Sequence, residues 1–194
     1  MIEYIKGSIA ELTPASVVVE TTAGVAYLLN ISLNTYSRLE GVAEAKLLVH
    51  ENIREDAWVL YGFLEERERS LFRALIGVSG VGSSTARVIL SSMSCAELEG
   101  VIAGGDVKAL KNVKGIGAKT AERIIVDLRD KIKTDESTLL VQASATNDVF
   151  DEALSALVML GFTRQQSQKA LKKLFESDPT IKVEAAIKKA LAMM

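Results

Sequence analysis

The chain has 194 residues, of which 48% are hydrophobic, so it can bury a sizeable core and is not a disordered polypeptide. Its formal net charge of −2 provides no overall attraction to nucleic acid, so a nucleic-acid function would need a local concentration of positive charge. One cysteine and one histidine exclude an internal disulfide and a Cys/His metal cluster. The N-terminus lacks a signal-peptide pattern and no apolar run reaches the ~20 residues of a membrane span, so we expect a soluble cytoplasmic protein.

Residues 1–64 carry the alternating, β-branched pattern of short strands. Five runs fit strands, at 1–12, 16–22, 25–32, 45–53 and 57–64, and the last two are separated by Arg54-Glu55-Asp56. A short helix is predicted over 34–40, after the third strand. Five strands with a helix in this place predict a small β-barrel of the oligonucleotide-binding (OB) type, and other small barrels would fit the same pattern. Trp58 alternates with Leu60 and is therefore predicted to be a core residue, with base stacking as the less favoured alternative.

From Glu65 the apolar period changes to 3.6 residues, which predicts an all-helical region over 65–133. Its first residues, 65–69 (EERER), are predicted to form a solvated helix start. Ser94 and Glu97 have the spacing of a capping box, and Asp106 is suited to cap the following helix. A longer amphipathic helix is predicted over 118–132.

The remaining chain divides into a linker and a bundle. The segment 134–147 has weak periodicity and many small polar residues, which predicts a flexible linker. Three helices are predicted over 148–194, and Pro179-Thr180 is predicted to begin the last of them. The chain is therefore expected to be an α+β multidomain protein: a barrel at 1–64, helices at 65–133, the linker, and a three-helix bundle.

One pattern occurs twice, thirty-five residues apart: GVGSSTARVIL (80–90) and GIGAKTAERII (115–125). Neither is a nucleotide motif. A Walker A loop would need glycines at 113 and 118, where the chain has Val113 and Ala118. A dinucleotide fingerprint would need a third glycine at Thr120 and a preceding strand. What remains is a helix, a Gly-x-Gly turn and a second helix, and we expect neither cofactor nor metal.

This pattern suits the binding of DNA phosphates. The glycines permit a sharp turn, and the second helix directs its first N–H groups and the positive end of its dipole toward an arriving anion. The segment 108–133 also carries eight basic residues against three acidic ones. Such contacts give affinity without sequence specificity. The predicted DNA-binding residues are Gly80, Gly82, Ser83, Ser84, Thr85, Gly115, Gly117, Lys119 and Thr120, with Lys111, Lys114 and Arg123 as auxiliaries.

Taken together, three segments resemble the RuvA family, the DNA-binding subunits of the bacterial Holliday-junction branch-migration complex. They are NIREDAWVLYGF (52–63), AKTAERIIVDLRDK (118–131) and ALVMLGF (156–162), in addition to the paired hairpins. The resemblance implies tandem helix-hairpin-helix units and a homotetramer or octamer that holds a four-way junction open and flat for recombination and repair. It also implies two protein partners, the hexameric ATPase RuvB, recruited by the C-terminal bundle, and the junction resolvase RuvC.

The resemblance has a specific implication for two pairs of residues. Ser83-Ser84 stands where relatives often carry Pro-Lys, which removes a cation from the first loop. Glu55 and Asp56, at a hairpin tip, correspond to an acidic pin that repels phosphates at the crossover and disfavours plain duplex. The bundle residues that are candidates for contact with the partner are Leu171, Leu174, Ile187 and Leu191, most of which must also fill the core of the bundle.

Two other functions fit part of the pattern. A helix-hairpin-helix nuclease or glycosylase would need a catalytic carboxylate or lysine, and Asp127 and Asp130 lack a third acid or base at a useful spacing. A general RNA- or protein-binding module would show no preference for four-way DNA. The function that the resemblance implies, and that we expect, is a non-catalytic junction-binding scaffold.

Overall fold

The computed structural model describes residues 1–139, 145–178 and 181–193. The chain divides into two compact units, Met1–Lys133 and Thr134–Met194. The first unit begins with β1 (Tyr4–Thr13), β2 (Ser16–Glu20), β3 (Ala26–Asn30), α1 (Leu33–Leu39), β4 (Glu44–Ile53) and β5 (Trp58–Phe63). It continues with α2 (Glu66–Ile76), α3 (Ser83–Ser92), α4 (Cys95–Gly104), α5 (Val107–Lys111) and α6 (Ala118–Leu139), whose residues after Lys133 belong to the second unit. The second unit contains α7 (Ala145–Met159), α8 (Arg164–Ser177) and α9 (Val183–Leu191). Within the described ranges, every helix is too short or too polar to cross a membrane.

The five strands close into a barrel in the order β1-β2-β3-β5-β4. All neighbours are antiparallel except β3 and β5, which pair in parallel through Leu29 and Leu60. β1 pairs with both β2 and β4, and a register shift between Ile9 and Glu11 lets this long strand bend around the barrel. The alternating residues that pointed to strands fill the interior, with Val17, Leu29 and Leu47 fully buried. The prediction of an OB-type barrel is confirmed.

The β4–β5 hairpin extends beyond the rest of the barrel. β1 pairs with β4 up to Leu48, and β3 pairs with β5 at Leu60 and Tyr61. The last two pairs between β4 and β5, Asn52–Val59 and Ile53–Trp58, therefore belong to a two-stranded ribbon. The prediction that Trp58 is a core residue is wrong: it is 64% exposed, because its strand alternation continues past the point where the barrel interior ends.

From Leu60 to Phe63, β5 is buried on both faces and joins the barrel to the helices. Leu60 belongs to the barrel core, whereas Tyr61 and Phe63 belong to the core of the helical region. There both rings pack against Phe72 of α2, with centroid distances of 4.9 Å and 5.0 Å. His50 of β4 lies 5.3 Å from the same ring. The barrel and the helical region are thus connected through a shared aromatic cluster.

Only part of the solvated helix start predicted over 65–69 is solvated: residues 65–67 are exposed, whereas Glu68 and Arg69 are buried. Glu68 is only 6% exposed and accepts hydrogen bonds from the hydroxyls of Ser32 (2.5 Å) and Thr35 (2.8 Å) at the start of α1. Arg69 is 5% exposed and donates to the backbone oxygen of Glu3 (3.1 Å) and to its carboxylate (2.5 Å). Both charges are buried because α2 packs against the barrel, where polar partners distant in sequence receive them.

The predicted caps of the helical region are confirmed. Ser94 and Glu97 form a reciprocal capping box on α4, and the Asp106 carboxylate accepts from the Ala109 N–H at 3.0 Å. α6 continues to Leu139 and α7 begins at Ala145, so helix covers both ends of the segment predicted to be a linker. Its flexibility stays a prediction, and 140–144 lie outside the described residues. The predicted helix start at 179–180 also lies outside them, and α9 is described from Val183.

Candidate nucleic-acid interface

The two Gly-x-Gly loops have the same backbone geometry. The first glycine of each is in the left-handed region, with φ +91° at Gly80 and +90° at Gly115. Each loop is closed by one short turn: the Val81 N–H donates to the Val78 oxygen (3.0 Å), and the Ile116 N–H donates to the Val113 oxygen (3.1 Å). A positive φ strains any residue with a side chain, which explains why glycine stands at this position in both copies.

The second glycine of each loop opens a helix toward solvent. Gly82 and Gly117 accept the first helical bonds, from Ala86 (2.9 Å) and Ala121 (3.0 Å). The amides of the three residues before each donor therefore lack a partner within the helix. A methyl group added to either glycine would meet no atom within 4 Å, and no side chain caps α3. Both helix N-termini are consequently accessible to an anion.

The two loops lie side by side. A methyl group built on Gly80 would lie 3.8 Å from the Thr120 hydroxyl oxygen of the second hairpin. α2 with α3 forms the first helix-hairpin-helix and α5 with α6 the second, and α4 connects them. A single buried core holds all five helices, including Ile89 of α3 and Ile124 of α6. The two loops, each with an open helix N-terminus, are therefore neighbours.

Most of the predicted DNA-binding side chains are accessible. Ser84 and the four basic residues Lys111, Lys114, Lys119 and Arg123 are exposed, and Thr85 and Thr120 are half-buried. The exception is Ser83, whose side chain does not face solvent. It is 8% exposed and its hydroxyl accepts a hydrogen bond from the Asn52 side-chain amide at 3.1 Å. Ser83 can therefore offer DNA its backbone amide, but its hydroxyl is engaged within the protein.

The acidic tip lies at the end of the β4–β5 ribbon. The Arg54 N–H donates to the Ala57 oxygen at 2.8 Å and closes the turn, so Glu55 and Asp56 occupy its two outermost positions. Both are exposed. The bond from Asn52, two residues before the turn, connects this ribbon to the first residue of α3. Asn52 was not among the predicted site residues. The sequence indicates its position only through the strand register, which places it on the same face as His50.

Polar contacts also hold the hairpins on the barrel. Arg87 of α3 donates to the Ala15 backbone oxygen (2.9 Å) and to the Asn30 side chain (3.1 Å). Glu68 of α2 is bonded by Ser32 and Thr35, and its burial raises its pKa against the opposing effect of those two hydroxyl bonds. The positions of the loops relative to the acidic tip are therefore fixed by contacts on α2 and α3.

In the C-terminal bundle, two of the four residues predicted to contact a partner are core residues. Leu171 is fully buried and Leu174 is 9% exposed, because a bundle of three short helices needs its largest apolar side chains for its own core. Ile187 packs against that core, and Leu191 is 39% exposed. The largest apolar exposure lies elsewhere, at the end of α7, where Met159 is 86% and Leu160 is 60% exposed.

Three family models match the chain in order. RuvA N terminal domain covers residues 1–62, SAM-like Helix-hairpin-helix tandem covers 72–130, and RuvA, C-terminal domain covers 148–194. Curated relatives with the name Holliday junction branch migration complex subunit RuvA match over nearly their whole length. Those of Parabacteroides distasonis and Bacteroides fragilis are 52% and 51% identical over 100% and 98% of both chains, and that of Flavobacterium psychrophilum is 42% identical over 98%. With paired hairpins on an OB-type barrel and such relatives over its full length, this chain belongs to the RuvA family.

Proposed function

We propose that this chain is the junction-binding, non-catalytic subunit of a Holliday-junction branch-migration complex. The observation that carries the proposal is the pair of adjacent Gly-x-Gly loops, whose open helix N-termini suit the phosphates of a DNA backbone. Family membership supports the same function, because the relatives carry the name of such a subunit. ATP hydrolysis then belongs to the partner motor RuvB.

The acidic tip supplies the preference for a branched substrate. Two carboxylates at the end of a projecting ribbon repel the backbone of a duplex that lies continuously across the protein. At a four-way junction the strands separate into arms, so the tip can lie between them while the loops contact the arms. Four copies around the crossover would bring four tips together, which is the geometry that a homotetramer provides.

We also propose that the C-terminal bundle contacts RuvB through the end of α7. Met159 and Leu160 are the most exposed apolar pair of the bundle, and the residues that follow, Gly161 and Phe162, lead into α8. An exposed pair of large apolar side chains next to each other is typical of a contact surface. Binding of RuvC, the octameric state and action in the cytoplasm belong to the same proposal and rest on the family resemblance alone.

A binding assay separates this function from its rivals. Four-way junction and linear duplex of equal length are compared by gel shift at one stated salt concentration. The proposal expects the junction to bind tighter by orders of magnitude, and no cleavage when magnesium is added. Equal binding to both DNAs would favour a general interaction module. DNA cleavage or base release without a partner would favour a nuclease or glycosylase.

A further inference from the structure

The projecting β4–β5 ribbon has an apolar side that the fold itself does not use. Ile53 and Trp58 are direct cross-strand partners at its end, and they are 68% and 64% exposed. Single exposed apolar residues are common on proteins. Here, however, a large aromatic side chain and a branched aliphatic one stand opposite each other, next to the turn that carries Glu55 and Asp56.

The register explains why these two side chains are exposed. Side chains alternate along β5, so Trp58 is on the same face as Leu60, which is buried in the barrel core. Trp58 is two residues before Leu60 in the chain, in the part of the ribbon that extends past the barrel. Asn52 and Val59 point to the other face, where Asn52 bonds to Ser83 and Val59 packs on the helical core. The ribbon is thus anchored by one face and leaves the other free.

The neighbouring charges restrict what can lie against this face. Glu55 and Asp56 are exposed two residues from Ile53 and Trp58, respectively, and their two negative charges outnumber the one positive charge of exposed Arg54, so the turn as a whole repels a phosphate or any other anion. A nucleobase carries no charge and presents a flat π-surface, which an indole ring stacks on without regard to base identity. At the centre of a four-way junction the strands change partners, so the base pairs next to the crossover lose stacking neighbours.

We propose that Trp58, supported by Ile53, stacks on a nucleobase exposed at the crossover of the junction. This inference rests on the proposed function. The acidic tip excludes phosphates from the crossover, and the adjacent indole provides an uncharged surface for the bases that lose their stacking there. Trp58 would thereby stabilise the unstacked centre of the open junction, in addition to the phosphate contacts of the two loops.

The experiment uses the fact that Trp58 is the only tryptophan of the chain. The intrinsic fluorescence of the wild-type protein is recorded during titration with a four-way junction and with a duplex of equal length. A second junction carries 2-aminopurine, a fluorescent adenine analogue, next to the crossover. We expect the junction, but not the duplex, to quench Trp58 emission in step with gel-shift occupancy, and the 2-aminopurine signal to change on binding.

Variants assign these signals to the indole. W58A is expected to weaken junction binding about tenfold and to abolish the 2-aminopurine change, whereas W58F, which keeps an aromatic face, stays within about threefold of wild type. Tyr4→Ala is the matched control, since Tyr4 is an aromatic residue 51% exposed on β1 with Lys46 over its ring. Because Trp58 is exposed, W58A should retain the wild-type unfolding midpoint.

Two results would overturn the stacking proposal while leaving the proposed function intact. One is a wild-type protein that prefers the junction by gel shift although Trp58 emission is unchanged and W58A binds like wild type. The other is a Trp58 emission that changes with protein concentration in the absence of DNA and does not change when the junction is added. That result would show that this face contacts a second copy of the chain. If the wild type shows no junction preference at all, the proposed function itself fails.

Discussion

The side-chain amide of Asn52 donates a hydrogen bond of 3.1 Å to the hydroxyl of Ser83, thirty-one positions later in the chain. Asn52 is on the ribbon that carries the acidic tip, and Ser83 is the first residue of α3, directly after the first Gly-x-Gly loop. This bond therefore connects the ribbon that is proposed to repel DNA with a loop that is proposed to bind it. On that proposal, their relative position decides whether a duplex or only a branched DNA can reach the loops.

Breaking this bond should reduce selectivity more than affinity. We expect N52A to weaken junction binding by less than about tenfold, since one intramolecular hydrogen bond contributes roughly 0.5–1.5 kcal/mol. Duplex binding should stay unchanged or increase, because a displaced tip repels it less. Gel shifts with both DNAs measure the ratio. N34A is the control: Asn34 donates to the Leu90 and Met93 oxygens, so its loss affects the barrel–helix contact instead of the ribbon. An equal loss of selectivity in N34A would contradict the prediction.

The charge of the two loops should appear in the salt dependence of binding. Ser84 is exposed at the position of the first loop that corresponds to Lys119 in the second. Each phosphate contact made by a cation changes the slope of log K against log salt by about 0.9. S84K is therefore expected to steepen the slope by about this amount per contact, and K119A to flatten it equally. K46A, on the barrel, should leave the slope unchanged; a similar slope in all four proteins would show that these positions do not meet phosphates.

Neutralising the acidic tip should increase binding to plain duplex. The double variant E55Q/D56N removes both exposed carboxylates while preserving side-chain size, so the repulsion of a continuous backbone disappears. We expect tighter duplex binding, a smaller junction-to-duplex ratio, and an effect that diminishes at high salt because exposed charges are screened. Glu44→Gln makes the same change at the opposite end of β4 and is expected to have no effect. Duplex binding that is unaltered by the double variant would argue against a repulsive role.

The sequence predicted those features that depend on local chemistry. Two glycines with flanking helices were sufficient for the loops, and both first glycines have the positive φ that the pattern required. Period-two alternation identified the strands of the barrel, and Asp106 was recognisable as a cap from its position alone. In each case the residues that determine the structure are neighbours in the chain, so a short window contains the whole cause.

Features that depend on distant partners could not be predicted. Glu68 resembled a solvated charge because its partners, Ser32 and Thr35, lie more than thirty residues away. Trp58 resembled a core residue because alternation does not reveal where a strand leaves its sheet. Leu171 and Leu174 are core residues, as their apolar period indicated, but which surface of the bundle meets a partner could not be read from that period.

The buried carboxyl of Glu68 should give stability a recognisable pH dependence. Burial raises its pKa above the ordinary 4.5, so the folded protein binds more protons than the unfolded one. The contribution of this raised pKa to the free energy of unfolding is complete below pH 4.5 and is lost as the pH rises through the raised pKa. We expect the unfolding free energy of wild type minus that of E68Q to decrease with rising pH, as measured by urea denaturation.

Glu97 serves as a control, because its contribution to stability should depend on pH in the opposite direction. The backbone and side-chain bonds of Ser94 lower the pKa of Glu97. Its stabilising contribution is therefore present above 4.5 and is lost as the pH falls through the lowered pKa. The difference between wild type and E97Q should increase with pH over the acidic range. A difference for E68Q that is flat or increasing with pH would contradict a raised pKa for buried Glu68.

The bundle offers a test in which surface and core residues of one helix are compared. Met159 and Leu160 are exposed at the end of α7, whereas Leu157, two positions earlier, is fully buried. The variant M159S/L160S should leave the unfolding midpoint and junction binding unchanged but reduce binding of RuvB to the protein–junction complex, measured by supershift and by stimulation of its ATPase. L157A should instead destabilise the bundle by about 2–5 kcal/mol through the cavity it leaves, and lose the partner only where the bundle unfolds. RuvB recruitment that survives M159S/L160S would place the contact on another face of the bundle.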